Sequence, residues 1–439
     1  MRWHLLFVTV LVLVLAAGCG SGGPGGPTAN GGENGNGEGG DNGGIIPAGL
    51  LRPSDLTYLG AFRLPEPSGS SSWEYSGAAM TCYPGGDPEG PDDGFPGSIY
   101  GAGHDWDMHI SEISIPVPVI SPTNNPADLN RAQTLQPFTD VRGGVGNLDV
   151  LGEIIRVGIA YLPPQDSQGS AKLHLCWGQH FQEDAERVAS HMWCNLDLSG
   201  SRGAWWVDGY SPYSVNDYMF EIPRAWADAY TPGMRLATGR FRDGGWSGQG
   251  PCLFAIGPWN HGNPPPNNTV MDAVPLLLYS STATDAPPYH TLQDYHHADE
   301  WSGGAWLSTD TASAVVFVGT KGEGDCWYGL PDGTVWPDEP PYPDDPTGQR
   351  GWWSSRFAGQ MLFYDPSELA AAARGPRQPY EPQPYTTMDL DGVLYHIGGA
   401  QQKHHVRACA FDREHALLYL FEPLADGERS LVHVWAVGR

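Results

Sequence analysis

The chain has few lysines and a large excess of acidic side chains. Lys172, Lys321 and Lys403 are its three lysines, and 50 Asp and Glu outweigh 23 Lys and Arg, which gives a formal net charge of −27. A surface this acidic repels the phosphates of nucleic acid. We therefore expect no nucleic-acid partner, whereas neutral glycans, cations and basic peptides are compatible with the charge.

The sequence also lacks an apolar run long enough to cross a bilayer. Its longest run, residues 5–17, contains 13 residues, whereas a spanning helix needs about 20. The run follows a short polar start with Arg2 and leads through small residues to Cys19. A charged start, an apolar middle and small residues at the end are typical of a secretory signal, so residues 1–18 are predicted to be a signal peptide.

The segment before Cys19 resembles the lipobox of bacterial lipoproteins, in which the cysteine becomes the first mature residue and carries the lipid. Ala16 stands where that family prefers leucine, and Leu15 lies one place earlier. Residues 19–44 consist almost wholly of Gly, Asn, Pro, Ser and acidic residues, a composition typical of a disordered tether. The resemblance implies an exported protein whose domain, residues 45–439, is held to membrane lipid through Cys19. The alternative is an ordinary secretion signal in which Cys19 has no role.

Several catalytic and metal-binding signatures are absent. The sequence contains no CxxC, HExxH or GxSxG motif, and no phosphate-binding or dinucleotide-binding loop in its proper context. These absences disfavour a zinc centre, a serine hydrolase, an NTPase and a dehydrogenase, so we expect no cofactor and no catalytic metal. A structural calcium ion would find oxygen ligands in the loop with Asp87, Asp92 and Asp93. That loop lacks the EF-hand order, and an ordinary acidic loop is the preferred interpretation.

Six cysteines remain once Cys19 is set aside, an even number that could pair in an oxidising compartment. Cys176 and Cys194 lie in two strand-like runs separated by a polar loop. An antiparallel hairpin would place these runs side by side, so we predict a Cys176–Cys194 disulfide. The alternative is that all six are small, buried apolar residues.

Short strands, rather than helices, dominate the sequence pattern. Runs rich in Val, Ile, Leu, Tyr and Phe alternate with turn residues, and the chain holds 59 glycines and 40 prolines. This pattern predicts an all-β domain. A small-residue entry followed by a turn and an apolar strand occurs five times, starting at "SGAAMTCYP", "RVGIAYLPP", "SGQGPCLFAIGP", "SGGAWLS" and "VRACAF". Five passes favour a five-bladed β-propeller of four-stranded sheets around a channel; six or seven blades, or a pair of β-sandwiches, are the alternatives.

Short helices and a closing strand pair complete the predicted architecture. Helices between blades are expected at "NPADLNRAQ", "RAWADAY" and "SELAAAARG". The last of these has Asp365 as N-cap, Pro366 at the first helical position and Gly375 beyond its end. The run "LVHVWAV" near the carboxyl end is expected to pair with "LTYLGAFRL", Leu56 to Leu64, and so to seal the ring.

Polar residues at the ends of repeated strands are the candidate functional residues, because such ends surround one axis in a propeller. Glycoside hydrolysis needs two carboxyl groups about 5 to 10 Å apart, one acting as the acid. The candidate catalytic carboxylates are Asp105, Asp217, Asp243 and Glu300. The candidate ligand-binding residues are His104, Trp106, His109, His180, Arg240, Arg242, Trp246, Trp301, Lys321 and Arg407. For any one of them, the alternative is an ordinary solvated turn residue.

The aromatic content favours a carbohydrate ligand. The chain has 17 tryptophans and 19 tyrosines, several in glycine-rich loops. Flat aromatic faces stack on the apolar faces of sugars, while carboxylates and amides bind hydroxyls. The body also resembles exported bacterial proteins without an assigned activity that share "LTYLGAFRLP" and "GHDW…EISIP", and five-bladed glycosidases in architecture alone. We expect glycan binding with or without hydrolysis; the alternative is a non-catalytic scaffold that binds a partner in the envelope.

Overall fold

Five small sheets surround one axis in the computed structural model of this chain, and together they form a five-bladed β-propeller. The structure describes residues 46–87, 90, 93–148, 151, 155–179, 187–210, 212–241, 248–279, 290–345, 348–396 and 403–438. The propeller confirms the fold class and the blade number that were predicted from the five repeated passes.

Blades A and B follow the first strand, β1 (Leu56–Arg63). Blade A contains four consecutive antiparallel strands: β2 (Met80–Tyr83), β3 (Ser98–Ala102), β4 (Ile110–Ser114) and β5 (Thr134–Thr139). Blade B contains the next four: β6 (Ile155–Leu162), β7 (Lys172–Gln179), β8 (His191–Cys194) and β9 (Arg202–Val207). In each of these two blades the first strand is at one edge of the sheet, and the four strands follow one another in chain order.

The remaining strands form blades C, D and E. Blade C contains β10 (Tyr218–Glu221), β11 (Leu236–Arg240), β12 (Cys252–Ile256) and β14 (Ala273–Leu277), while β13 (Val270–Met271) adds a fifth, parallel strand to blade B. Blade D contains β15 (Glu300–Ser308), β16 (Ser313–Gly329), β17 (Gly351–Tyr364) and β18 (Thr386–Asp389). Blade E contains β19 (Cys409–Asp412), β20 (Leu417–Asp426), β21 (Arg429–Val437) and β1.

The first strand of each blade lines the channel. The inner strands β2, β6, β10, β15 and β19 contact one another in a closed cycle. Four of the five repeated passes in the sequence correspond to the first two strands of a blade. The third pass instead covers β12 and β14 of blade C, whose inner strand β10 is the short run "YMFE".

Ring closure occurs as predicted, because the amino-terminal strand completes the last blade. β1 pairs antiparallel with β21, from Leu56 opposite Val437 to Arg63 opposite Leu431. The hydroxyl of Tyr58 lies 2.9 Å from Nδ1 of His433, a residue of β21 that is fully buried.

Hydrophobic clusters fill the five interfaces between blades. Alternate residues of one strand face different neighbours: Leu175 and Trp177 of β7 belong to the cluster between blades A and B, and Cys176 belongs to the cluster between B and C. Both faces of such a strand are buried, which explains why the strands appear in the sequence as continuous apolar runs.

The short helices differ from their predicted positions. α1 (Pro212–Val215) connects blades B and C, but α2 (Arg224–Tyr230) lies between β10 and β11, and α3 (Pro366–Arg374) between β17 and β18. Two of the three helices expected between blades are therefore inside the connections of blades C and D. The third, expected at "NPADLNRAQ", is only a short 3-10 helix, Pro126–Asp128, and it lies between β4 and β5 of blade A. The predicted ends of α3 are confirmed: Asp365 caps its amino end by accepting a hydrogen bond from the Ser367 backbone N–H, and Gly375 follows at φ 87°. Among the described residues, no helix is both long and apolar enough to cross a bilayer.

The predicted Cys176–Cys194 disulfide is not formed, although β7 and β8 do pair antiparallel. The register places Cys176 opposite His191 and Cys194 opposite Leu173. An offset of three positions turns the two side chains to opposite faces of the blade. Cys176 packs against blade C and Cys194 against blade A, and both are free, buried thiols.

Weakening the closing strand tests how much the ring depends on it. Phe62 of β1 is fully buried between blades A and E, so Phe62→Ala is expected to lower the free energy of unfolding by about 3–5 kcal/mol. Urea denaturation followed by tryptophan fluorescence measures this loss. Thr57→Ala, at an exposed position of the same strand, is the control and should change stability by less than about 0.5 kcal/mol. Equal stability of the two variants would contradict the role of β1 as a stabilising strand of the closed ring.

Candidate functional site

Charged side chains from all five blades lie at the end of the channel where the inner strands begin. Arg156 is the second residue of β6, and Asp217 directly precedes β10. Glu300 is the first residue of β15, and Arg407 lies two residues before β19. Blade A has small residues at this position, and its charge comes instead from Asp105 in the β3–β4 loop. We call these five residues the charged mouth.

Arg407 connects the carboxylates of the charged mouth. Its Nη1 donates to both carboxylate oxygens of Asp105, at 3.1 and 2.9 Å. Burial alone would lower the pKa of Arg407, but Asp105, followed by Asp217 and Glu300, raises it above its ordinary value. This guanidinium therefore stays cationic while it interacts with acidic residues from three other blades.

Asp217 is a buried carboxyl group with few direct hydrogen bonds. The backbone N–H of Phe241 donates to its Oδ2 at 3.4 Å. Burial raises the pKa of Asp217, and the nearby guanidinium groups of Arg156, Arg240 and Arg407 offset only part of that rise. Burial thus makes Asp217 easier to protonate than an ordinary aspartate.

Glu300 has the opposite electrostatic environment, although it too is buried. Nδ1 of His404 lies 3.3 Å from Oε2 of Glu300. Burial favours a raised pKa, but His404, Lys403 and Arg156 together hold the pKa of Glu300 well below its ordinary value. The pKa values of two carboxyl groups in adjacent blades are therefore shifted in opposite directions.

The interface between blades B and C contains hydrogen-bond donors close to Asp217. Nη1 of Arg240 donates to Oδ1 of Asn216 at 3.3 Å, and the guanidinium of Arg156 lies 4.4 Å from the ring centroid of Phe241. Gly178 pairs with Arg156, and a Cβ at Gly178 would lie 1.6 Å from Nδ2 of Asn216, so only glycine fits there. Nε of Arg156 and Nδ2 of Asn216 are buried and have no hydrogen-bond partner among the described residues.

Blade D contains a long hairpin that extends past the charged mouth, beyond the start of its inner strand. β15 begins at Glu300, which pairs with Thr320, while residues 321–329 of β16 and 351–358 of β17 continue past that pair. We call these two segments the aromatic hairpin, because they carry Trp327, Tyr328, Trp352, Trp353 and Phe357. The ring of His297 stacks on Trp352 with centroids 4.3 Å apart. The hairpin therefore brings aromatic rings to the same end of the channel as the charges.

The structure brings five of the predicted site residues together and gives others a structural role. The group that converges is Asp105, Asp217, Arg240, Glu300 and Arg407. Trp301 is fully buried in the core between blades C and D, because strand alternation turns it away from the channel. Nζ of Lys321 bonds both carboxylate oxygens of the fully buried Asp299, each at 3.0 Å. Trp301 and Lys321 are therefore corrected from ligand-binding to packing residues.

The β3–β4 loop contributes three more predicted residues. His109 lies 2.8 Å from the Ser70 hydroxyl, and His104 Nδ1 accepts a hydrogen bond from the backbone N–H of Trp106. Both histidines thus hold the local chain in place. Trp106 is 76 % exposed and is the loop residue most accessible to a ligand.

Some predicted residues lie outside the described part of the chain, and one important residue was missed. His180, Arg242, Asp243, Trp246 and Cys19 are outside the described residues. Arg156 was not predicted. It interrupts the apolar run "IIRVGIAYL" at the start of the second pass, as Arg407 does before "ACAF" in the fifth, and this repetition could have identified it.

The described residues contain no group of three or more His, Cys, Asp or Glu side chains arranged to bind a metal ion. The adjacent histidines that precede β19 diverge, since His404 faces Glu300 while Nδ1 of His405 lies 2.8 Å from Oδ1 of Asp391. In the acidic loop considered for calcium, Asp93 accepts a hydrogen bond from the backbone N–H of Phe95, and Asp92 lies outside the described residues.

A cavity of about 640 Å³ opens at the opposite end of the channel, away from the charged mouth. Each inner strand contributes one aromatic side chain to its wall, and we call this cavity the aromatic basin: Tyr83, Tyr161, Phe220, Trp306 and Phe411. Between the two ends the channel narrows to a space of about 10 Å³, lined in part by Met80, Met219 and Cys409. The sequence analysis missed this basin, although an aromatic residue recurs in every inner strand.

Comparison with known proteins assigns no family to this arrangement. A scan of protein-family models finds no match, and a search of curated proteins finds none. No residue role can therefore be transferred, and the function has to be argued from geometry and charge.

Removing Asp105 tests the link between blades A and E. Asp105→Ala removes the carboxylate whose two oxygens bind the mostly buried guanidinium of Arg407. We therefore expect the free energy of unfolding to fall by about 1.5–3 kcal/mol. Chemical denaturation measures the change. Trp106→Ala removes an exposed side chain from the same loop and should cost less than about 0.5 kcal/mol; a similar loss in both variants would mean that the loop, not the ion pair, carries the effect.

Proposed function

We propose that this protein is exported, is anchored to membrane lipid through Cys19, and binds a carbohydrate at the charged mouth. The observation that carries the proposal is the convergence of Asp105, Arg156, Asp217, Glu300 and Arg407, one charged residue from each blade, around one end of a single channel. Buried charged groups are costly unless they are paired or serve a ligand. Their concentration at this end supports a binding site there.

Hydroxyl recognition is supported by the mixture of donors and acceptors. The partly exposed guanidinium of Arg156 offers hydrogen-bond donors, while Asp217 and Glu300 offer acceptors. The aromatic hairpin and Trp106 add ring faces at the same end. A sugar, with hydroxyl groups around an apolar ring face, uses all three kinds of contact.

Hydrolysis is the second candidate, and the opposite pKa shifts of Asp217 and Glu300 favour it. Glycosidases pair a protonated acid with an ionised carboxylate. Asp217, with its raised pKa, would protonate the leaving oxygen, and Glu300, with its lowered pKa, would act as the base or nucleophile. Asp105 is committed to Arg407 and is assigned a positioning role. A non-catalytic scaffold that binds a partner in the envelope is the alternative.

A polysaccharide panel that reports both bound and cleaved sugar tests the proposal with the full-length protein. If the chain hydrolyses a glycan, Asp217→Asn and Glu300→Gln should each lower kcat by at least about 100-fold, because each removes one proton-transfer or charge-stabilising group. Asp272→Asn, at a side chain 82 % exposed and outside the mouth, is the matched control and should retain full activity.

Each outcome of that panel has a definite meaning. Binding without cleavage by the wild-type protein supports the carbohydrate site and contradicts hydrolysis. If the protein neither binds nor cleaves any polysaccharide of the panel, the carbohydrate proposal is contradicted and the scaffold is favoured. Cleavage that survives both substitutions would remove this carboxylate pair from the mechanism.

The expected pH dependence of cleavage follows from the directions in which the pKa values of Asp217 and Glu300 are shifted. Asp217 must be protonated, so activity should fall as the pH rises through its raised pKa. Glu300 must be ionised, so activity should fall as the pH drops through its lowered pKa. We therefore expect a kcat profile that is high at mildly acidic pH and extends further to the acid side than ordinary carboxyl groups allow. A profile that rises towards alkaline pH would contradict these roles.

The lipid anchor has a separate test. Cys19→Ala, expressed with the native leader, is expected to move the protein from the membrane fraction to the soluble fraction, because the thiol that would carry the lipid is gone. Cys326→Ala, which removes another thiol, is the control and should leave fractionation unchanged. Fractionation and mass spectrometry of the amino-terminal peptide measure the result, and membrane retention of the Cys19 variant would contradict lipidation.

A further inference from the structure

The aromatic basin has the size and lining of a small-molecule site. Its volume of about 640 Å³ falls within the range of about 300–1,000 Å³ that is typical of ligand pockets. Besides the rings, the wall includes Met80, Met219, Ala305 and Ala410, which are small or unbranched apolar side chains. A wall of aromatic and apolar side chains favours a ligand with an apolar body.

The rings of the basin are held in place by the fold. Tyr83 and Tyr161 lie with centroids 4.9 Å apart, tilted by 44°. A Cβ at Gly85 would lie 3.0 Å from the Tyr83 hydroxyl oxygen, so the glycine lets this ring lie against the chain. Trp306 is buried and contacts Trp226, at 4.8 Å between centroids. The walls are therefore formed before any ligand arrives.

Charges around the basin are balanced and largely committed to one another. Nη2 of Arg235 donates to Glu221 at 2.8 Å, and Nε of Arg413 lies 3.6 Å from the same carboxylate. Glu414 supplies a second carboxylate at the rim. Arg235 lies behind the lining, and together the two arginines and two glutamates sum to no net charge. The rim therefore offers no excess charge of either sign to offset the hydration that an ionic ligand loses on entry.

One hydroxyl of the basin is fixed as a hydrogen-bond donor. Burial, reinforced by Tyr83, Glu221 and Glu414, raises the pKa of Tyr161 to about 12. The phenol therefore keeps its proton across the physiological range, and its O–H can donate to an oxygen or nitrogen of a neutral ligand.

We propose that the aromatic basin is a second binding site, which takes an uncharged small molecule built on an aromatic ring and carrying a hydroxyl or similar polar group. Aromatic rings from five blades surround the ligand ring, and edge-to-face or offset contacts with them add to the burial of apolar area. The polar substituent lies towards the rim, where Tyr161 and the ion-paired groups are found. This site is separate from the charged mouth and does not depend on the function proposed for it.

Ligand-observed NMR with the full-length protein tests the inference, using probes that share a ring but differ in charge. Phenol, indole and 2-naphthol are expected to bind saturably at one site. Benzoate and benzylamine should bind at least about ten-fold more weakly, because each brings an unpaired charge. No saturable binding of any uncharged probe at millimolar concentration, or tighter binding of a charged probe, would overturn the proposal.

Two variants locate the binding. Ala410→Phe places a ring inside the basin and is expected to weaken 2-naphthol binding at least ten-fold. Phe411→Leu removes a wall ring at a partly exposed position and provides a second variant if Ala410→Phe fails to fold. Asp272→Asn, at an exposed side chain outside both the basin and the charged mouth, is the control and should bind the probe as the wild type does. Unchanged affinity in the folded basin variants would overturn the assignment.

Discussion

The antiparallel pairing of β1 with β21 is the constraint on which the rest of the structure depends. It joins strands from the two ends of the described chain, and it has a polar core as well as an apolar one: Nε2 of His433 lies 2.7 Å from Glu422, and Nδ1 of His433 lies 2.9 Å from the Tyr58 hydroxyl. The inner strands share one axis because the ring is closed. The charged mouth and the aromatic basin are both built around those strands, so both depend on this pairing.

The two ends of the channel differ in chemistry. Four inner strands have a charged residue at or just before their start, blade A supplies Asp105 from its β3–β4 loop, and aromatic rings lie towards the other ends of all five inner strands. Because the five inner strands run in the same direction around the axis, a residue type placed at one end of each strand accumulates at one end of the channel. The propeller thus converts a pattern along the sequence into two chemically distinct regions, without any loop having to reach across the molecule.

The sequence pattern predicted the propeller, the blade number and the closing pair, because alternating turns and apolar strands are local signals. It placed Asp105, Asp217, Glu300 and Arg407 beside such strands for the same reason, and the structure has them there, while their functional roles stay predictions. It could not separate Trp106 from Trp301, because the exposure of a tryptophan depends on which face of a blade it occupies. Nor could it exclude the Cys176–Cys194 disulfide, since a register offset is set by pairing across the sheet and not by spacing.

The narrow middle of the channel has a consequence for how the molecule can work. A space of about 10 Å³ is near the lower limit that can hold a single water molecule. In the described part of the chain, packed side chains such as Met80 and Met219 therefore separate the charged mouth from the aromatic basin. The two ends present two distinct openings, and the inner strands are the elements that they share.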